Sequence, residues 1–125
     1  MKKLIALIFT LVLVGCKTIP VPELKSEPVG YNLTQEQVKN AIVDAGYVRN
    51  WQITPVNDNL LRGTLNVRSH MLEVDIPYSA EDYSILYYGS ENLKYKDGKI
   101  HKKVATWVRN LNLDIKKSIR EAAAK

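Results

Sequence analysis

The chain has 125 residues, a single cysteine and a formal net charge of +5, from 18 Lys and Arg against 13 Asp and Glu. One cysteine excludes an intrachain disulfide, and this length predicts one small domain rather than two. A positive charge this modest does not indicate a nucleic-acid-binding protein. The hydrophobic core must therefore supply the stability of the fold.

The first residues have the pattern of a secretory signal. Two lysines precede an apolar run over residues 4–14, and Cys16 follows after one glycine. A helix that spans a bilayer needs about 20 apolar residues, and this run is well short of that length. We therefore predict that residues 1–15 are a signal peptide that is cleaved off.

The sequence LVGC at residues 13–16 resembles the lipobox of bacterial lipoproteins. In that family the cysteine sulfur receives a diacylglycerol, and a peptidase then cuts before the cysteine. The resemblance implies that Cys16 carries fatty acids such as palmitate and anchors the mature chain, because two or three acyl chains hold stably in a bilayer. Lys17 stands where inner-membrane lipoproteins of enterobacteria carry a retention aspartate. The resemblance thus implies an outer-membrane anchor with the domain facing the periplasm.

A proline-rich segment follows the cysteine. Pro20, Pro22 and Pro28 interrupt residues 16–30, which show no apolar periodicity. This composition predicts that the lipidated N-terminus continues as an extended tether, which at about 3.1 Å per residue would reach roughly 40 Å. Residues 31–125 are left as the single folded domain.

The domain begins with a predicted amphipathic helix. Thr34 can cap its N-terminus, and Gln37, three residues later, can complete a capping box. Gly46 is placed to end the helix in a left-handed conformation. The apolar residues that recur at helical spacing are Val38, Ala41, Ile42 and Ala45.

Strand-like stretches follow up to residue 95, and a second helical pattern ends the chain. The predicted strands are 47–56, 61–68, 72–78 and 83–88, with a last short strand at Leu93 and Tyr95. A turn at Ser69-His70 would place Val67 beside Leu72, with apolar side chains sharing one face. The apolar residues of the last helix are Val104, Val108, Leu111, Ile115 and Ile119. Together these elements predict an α+β fold, a two-layer sandwich in which both helices cover one face of an antiparallel sheet of three to four strands.

Three blocks carry a second resemblance: NLKY at 92–95, GKIH at 98–101 and WVRNL at 107–111. They are similar to blocks in a group of small, functionally uncharacterised bacterial envelope lipoproteins. The resemblance implies a similar fold and cellular address, and it supplies no activity.

The charge is unevenly distributed along the chain. Residues 16–93 hold 6 basic and 10 acidic side chains, a balance of −4, whereas residues 94–125 hold 10 basic and 3 acidic side chains, a balance of +7. An anionic ligand would therefore bind near the start of the last helix. The predicted ligand-binding residues are Tyr88, Lys94, Lys96, Lys99, His101, Lys102 and Lys103. The alternative is a charged face that is simply solvated.

Catalytic and metal-binding patterns are weak. His70 and His101 are the only side chains that titrate near neutral pH without perturbation, and no G-x-S-x-G, H-x-x-x-H or H-E-x-x-H pattern is present. We predict no catalytic residue, metal or cofactor. The favoured function is a binding or assembly module that contacts peptidoglycan, lipopolysaccharide or an envelope protein, and not nucleic acid. The alternative is a small envelope hydrolase or transferase that uses His70 or His101.

Overall fold

Seven strands and two helices form along residues 17–125, the part of the chain that the computed structural model describes. The strands are β1 (Thr18–Pro20), β2 (Leu24–Pro28), β3 (Trp51–Asn57), β4 (Leu60–Val67), β5 (His70–Pro77), β6 (Asp82–Glu91) and β7 (Lys99–His101). The helices are α1 (Gln35–Gly46) and α2 (Lys103–Ala123), and a 3-10 turn, Tyr47–Arg49, follows α1. The predicted signal peptide and Cys16 lie outside the described residues.

The main sheet has five antiparallel strands in the order β2-β6-β5-β4-β3. Strands β1 and β7 form a separate two-stranded antiparallel sheet. The predicted α+β class is confirmed, and the predicted count of three to four strands is too low. Leu93 and Tyr95 lie outside the strands, and the last strand is formed by Lys99–His101 instead.

The proline-rich segment is part of the fold, so the prediction of a free tether over residues 16–30 is wrong for residues 18–28. Thr18 in β1 pairs with His101 in β7, and Leu24 in β2 pairs with Ile85 in β6. The segment is extended as its prolines require, but backbone pairing holds it against the domain. Prolines are tolerated there because β2 is an edge strand and both β1 and β2 end at a proline.

Helix α1 begins as predicted and ends differently. The Thr34 hydroxyl accepts a hydrogen bond from the Gln37 N–H at 3.1 Å, and Gln37 Oε1 accepts one from the Thr34 N–H at 2.9 Å. Gly46 is right-handed, with φ of −59°, and the left-handed residue is Asn50. The glycine instead allows close packing, since a Cβ at residue 46 would lie 2.8 Å from Ile53 Cδ1.

The hairpin of β4 and β5 turns at Arg68-Ser69, one residue earlier than predicted. Val67 therefore pairs with His70 and not with Leu72. The register differs from the prediction by two residues, which leaves every side chain on its predicted face. The apolar alternation of the two strands is equally satisfied by both registers.

One hydrophobic core joins the helices to one face of the sheet, which we call the inner face. All five apolar residues predicted for the last helix are buried in α2. The inner-face residues of β4 and β5 that complete this core are Leu61, Leu65, Leu72, Val74 and Ile76. No helix within residues 17–125 combines the length and apolarity needed to cross a membrane.

Candidate functional site: a basic cluster at the start of the last helix

His101 lies where β7 ends and α2 begins. Its Nδ1 accepts a hydrogen bond from the backbone N–H of Lys103 at 3.1 Å. The neutral ring therefore carries its proton on Nε2. Lys102 occupies the N-cap position and gives no side-chain cap, so the histidine ring satisfies one of the free amides of the first helical turn.

Four basic groups surround this ring. The pKa of His101 is lowered, first by partial burial and then by the positive charges of Lys103, Lys94, His70 and Lys102. Both burial and neighbouring cations disfavour the imidazolium form. We call these five residues, His70, Lys94, His101, Lys102 and Lys103, the basic cluster. Its three lysines are exposed, and its two histidines are half-buried.

His70, the first residue of β5, is distant in sequence from the other members of the cluster but lies near them in the fold. Its Nδ1 lies 2.7 Å from the Asn92 carbonyl oxygen, and because a carbonyl only accepts, the ring donates from Nδ1. Its ring centroid lies 6.5 Å from that of Trp107 in α2. The sequence indicates His70 only as a candidate catalytic residue and does not place it in the predicted binding surface.

Lys96 and Lys99 lie in the turn that leads into β7. The N–H of Lys96 donates to the Lys99 carbonyl at 2.9 Å, and the N–H of Lys99 donates back at 3.0 Å. Both side chains are exposed. Neither is among the charges that lower the pKa of His101, so these two predicted residues flank the basic cluster without belonging to it.

The cation that contacts the Tyr88 ring is Arg62, which is not one of the lysines with which Tyr88 was predicted. Tyr88 is 51% exposed, and the Arg62 guanidinium carbon lies 3.6 Å from the centroid of its ring. Tyr87 lies on the other side of β6, half-buried, with its ring stacked on Tyr95 at 4.6 Å. The prediction that adjacent Tyr87 and Tyr88 face opposite sides is confirmed, and it places Tyr88 on the outer face of the sheet.

Polar side chains on the outer face are paired with one another. Arg62 Nε donates to Asp75 Oδ1 at 2.8 Å, and the Thr64 hydroxyl donates to Glu73 Oε2 at 3.2 Å. These are cross-strand pairs between β4 and β5. Among residues 17–125, no three His, Cys, Asp or Glu side chains are grouped so that they could bind a metal ion.

The hydrogen bonds of the two histidines do not join a nucleophile to a base. The Ser69 hydroxyl oxygen accepts from the Asn92 side-chain amide at 2.8 Å, while His70 bonds the Asn92 backbone and His101 bonds the Lys103 backbone. Nucleophilic catalysis requires a base within hydrogen-bond reach of the nucleophile. In the part of the chain that the structure describes, neither ring makes such a bond, and both rings are instead hydrogen-bonded to the backbone.

A groove of about 540 Å³ lies at the opposite end of the sheet. It is lined by the start of α1 and the turn between β3 and β4, including Gln35, Lys39 and Asp58. It contains none of the predicted site residues. Lys39 in this groove forms a salt bridge with Glu36, with 3.3 Å between Nζ and Oε2.

Comparisons of the chain with protein-family models, with curated proteins and with solved structures found no match. The resemblance to envelope lipoproteins therefore stays a prediction, and the function is argued from the basic cluster.

Proposed function

We propose that this protein is an outer-membrane lipoprotein whose periplasmic domain binds an anionic partner in the cell envelope through the basic cluster. The observation that carries the proposal is the set of like charges around His101. The four charged groups that shift its pKa are all basic, and no carboxylate of the described residues acts on it in the opposite direction. An anion bound there would relieve this repulsion.

Helix stability does not account for the lysines of the cluster. Lys102 and Lys103 stand at the N-terminus of α2, where the partial positive charge of the helix dipole disfavours each cation by a few tenths of a kcal/mol. The first turn of α2 also holds no acidic residue that would offset them. Their position is unfavourable for folding and favourable for an external anion.

The salt bridges of the domain also indicate that the cluster lysines are available to an external anion. Within residues 17–125, four basic side chains form salt bridges: Lys39, Arg49, Arg62 and Lys116. None of the cluster lysines forms one. A negatively charged partner would supply the missing countercharge.

The chemistry of the cluster defines the class of ligand. Lysines act as mobile point charges that bind phosphate and carboxylate without strict geometry. Peptidoglycan, lipopolysaccharide and an acidic face of an envelope protein all present such groups. Because anion binding favours the protonated form of His101, affinity should rise as the pH falls.

The membrane anchor in this proposal depends on Cys16. Replacing the sulfur nucleophile removes the lipid attachment site, so Cys16→Ser should leave the precursor uncleaved and unlabelled by radioactive palmitate. The measurement is the electrophoretic size and label of the band in whole cells. A normally processed, labelled Cys16→Ser protein would contradict the anchor.

An NMR titration tests the ligand. Residues 17–125, the described part of the chain, contain the hydrophobic core that joins the helices to the sheet. Their backbone amides can be followed against peptidoglycan fragments and lipopolysaccharide at two salt concentrations. We expect shifts at residues 70 and 94–103 that weaken with salt, because screening reduces contacts between exposed charges.

Matched lysine variants make the titration specific. The double variant Lys102→Ala/Lys103→Ala should lose the shifts, and Lys117→Ala/Lys125→Ala, with the same change in charge on exposed positions of α2 and its C-terminal end, should keep them. Absence of shifts with every anionic ligand, or equal effects of both variants, would contradict the proposed site.

A further inference from the structure

Strand β1 begins two residues after Cys16, the predicted lipid attachment site, and it lies against the basic cluster. The backbone N–H of Lys102 donates to the carbonyl of Lys17 at 3.0 Å. The next residue, Thr18, pairs with His101. Residue 17 is therefore fixed beside the start of α2, and it is the residue that follows Cys16.

The attachment of this strand is not limited to one hydrogen bond. Ile19 pairs with Ile100 and Pro20 with Lys99, and the N–H of Val21 donates to the Gly98 carbonyl at 3.0 Å. The Val21 side chain packs against the hydrophobic core. Because β1 is fixed in this way, the segment does not provide the roughly 40 Å of reach expected of an extended polyproline tether.

We propose that the domain docks with its basic cluster on the bilayer that holds its own lipid anchor, where the lysines bind the phosphates of anionic phospholipids. This inference rests on the proposed lipidation of Cys16. Consecutive Cα atoms are about 3.8 Å apart, so a lipid on Cys16 enters the bilayer next to Lys17. The link is too short for the domain to turn its basic end away from the surface.

The charge of this end complements an anionic surface. Lys17 is exposed beside the cluster lysines, Lys94, Lys102 and Lys103. Between residues 92 and 113 the only acidic residue is Asp97, in the turn before β7. A lysine near an anionic membrane contributes about a fivefold preference for the bound state, and these contributions accumulate while the surface stays within a Debye length.

The other end of the domain points away from the bilayer in this orientation. Strand β4 runs from the turn at residues 57–59 to the turn beside His70, and its eight residues at about 3.4 Å each span roughly 27 Å. The turn at Asn59 is therefore distant from the cluster. Thr106, exposed on α2, shares a helix face with Lys102 and Lys103.

The experiment measures this orientation in the full lipidated protein. The natural chain has one cysteine, which the lipid occupies, so an introduced cysteine is the only free thiol. Thr106→Cys and Asn59→Cys are each labelled with a fluorophore and reconstituted into vesicles of phosphatidylcholine, or of phosphatidylcholine and phosphatidylglycerol in equal amounts. A spin label on the lipid headgroup quenches fluorophores close to the surface.

We expect stronger quenching at residue 106 than at residue 59, with a difference that grows with phosphatidylglycerol and shrinks with salt. Adding Lys102→Ala/Lys103→Ala should lower the ratio of docked to undocked protein roughly 25-fold, since each lysine contributes about fivefold. Lys117→Ala/Lys125→Ala, near the other end of α2, should leave the ratio unchanged.

The outcomes separate this inference from the proposed function. Equal quenching at both sites in anionic vesicles, with the protein still floating with the vesicles in high salt, overturns the docking and leaves the lipoprotein proposal in place. Failure to float with neutral vesicles overturns the anchor and the docking together. Stronger quenching at residue 59 overturns the orientation.

Discussion

The backbone N–H of Lys103 donates a hydrogen bond to Nδ1 of His101, so an imidazole caps the first turn of α2 where a Ser, Thr, Asp or Asn is more usual. Only the form of the ring with an unprotonated Nδ1 can accept this bond. Protonation replaces the acceptor with a second donor and adds a cation beside Lys94 and Lys102. The stability of the helix start is thereby linked to pH.

This linkage predicts a loss of stability in mild acid. The folded protein lowers the pKa of His101 below its ordinary value of 6.5, so the unfolded state takes up the proton first as the pH falls. The contribution of His101 to the free energy of unfolding is fully present above the ordinary pKa and decreases as the pH falls toward the folded pKa. Urea unfolding on either side of the ordinary value, at about pH 7.5 and about pH 5.5, measures this decrease.

His101→Asn is the matched control for the pH dependence. Asparagine keeps a side-chain oxygen that can accept from the Lys103 N–H, and it does not titrate. We expect the variant to lose less stability than the natural protein between the two pH values. An identical loss in both proteins would show that His101 does not carry the effect.

The close approach of α1 to β3 predicts a cost for Gly46→Ala. The new Cβ would lie 2.8 Å from Ile53 Cδ1 and 3.2 Å from the Trp51 carbonyl oxygen. Alanine favours a helix interior over glycine by about 1 kcal/mol, but overpacking costs about 1–3 kcal/mol, so we expect net destabilisation. The free energy of unfolding in urea measures the balance.

A double-mutant cycle identifies the contact responsible. Ile53→Val removes Cδ1, the atom nearest the new Cβ, and alone should cost about 0.5–1.5 kcal/mol. The double variant Gly46→Ala/Ile53→Val should be more stable than the sum of the two single changes indicates. Strict additivity would mean that Ile53 Cδ1 does not limit residue 46, since Cγ1, which would lie 2.9 Å from the new Cβ, is retained in valine.

The predictability of the fold from sequence depended on how each element is stabilised. The periodicity of α2 and the capping box of Thr34 are local signals, so both helices could be predicted. Strand β2 has no alternating apolar pattern because it is held by backbone pairing with β6 at the edge of the sheet. Its prolines indicate extended chain, but a single sequence does not reveal the partner that turns a tether into a strand.

Only part of the candidate site could be predicted from the sequence. Lys94, Lys102 and Lys103 are close in sequence to the start of α2, so their grouping could be predicted from that element alone. His70 joins them through the pairing of β5 with its neighbours, which is a long-range contact. Tyr88 is close to the lysines in sequence, but it is the unpaired residue at a register irregularity between β5 and β6, and its ring lies against Arg62 on the outer face of the sheet.

Burial in α2 predicts very different effects for two leucines separated by one residue. Leu111 is completely buried in the core, and Leu113 is 54% exposed. Leu111→Ala should lower the free energy of unfolding by about 2–5 kcal/mol, whereas Leu113→Ala should change it by no more than about 0.5 kcal/mol. Both variants have the same change in composition and helix propensity. Similar losses in urea unfolding would contradict the packing of α2 on the sheet.

The separation of Tyr88 from the basic cluster predicts that Tyr88→Ala affects stability and not anion binding. The exposed ring lies against Arg62, which also pairs with Asp75, and such a cation–π contact is worth about 0.5–1 kcal/mol. We expect a loss of that size in urea unfolding and an unchanged affinity for the anionic ligand in the NMR titration. Lys103→Ala should show the reverse, weakening binding with little loss of stability because its side chain is exposed. Weaker binding by Tyr88→Ala would place the ligand on the outer face of the sheet, beside Arg62, and move the site away from His101.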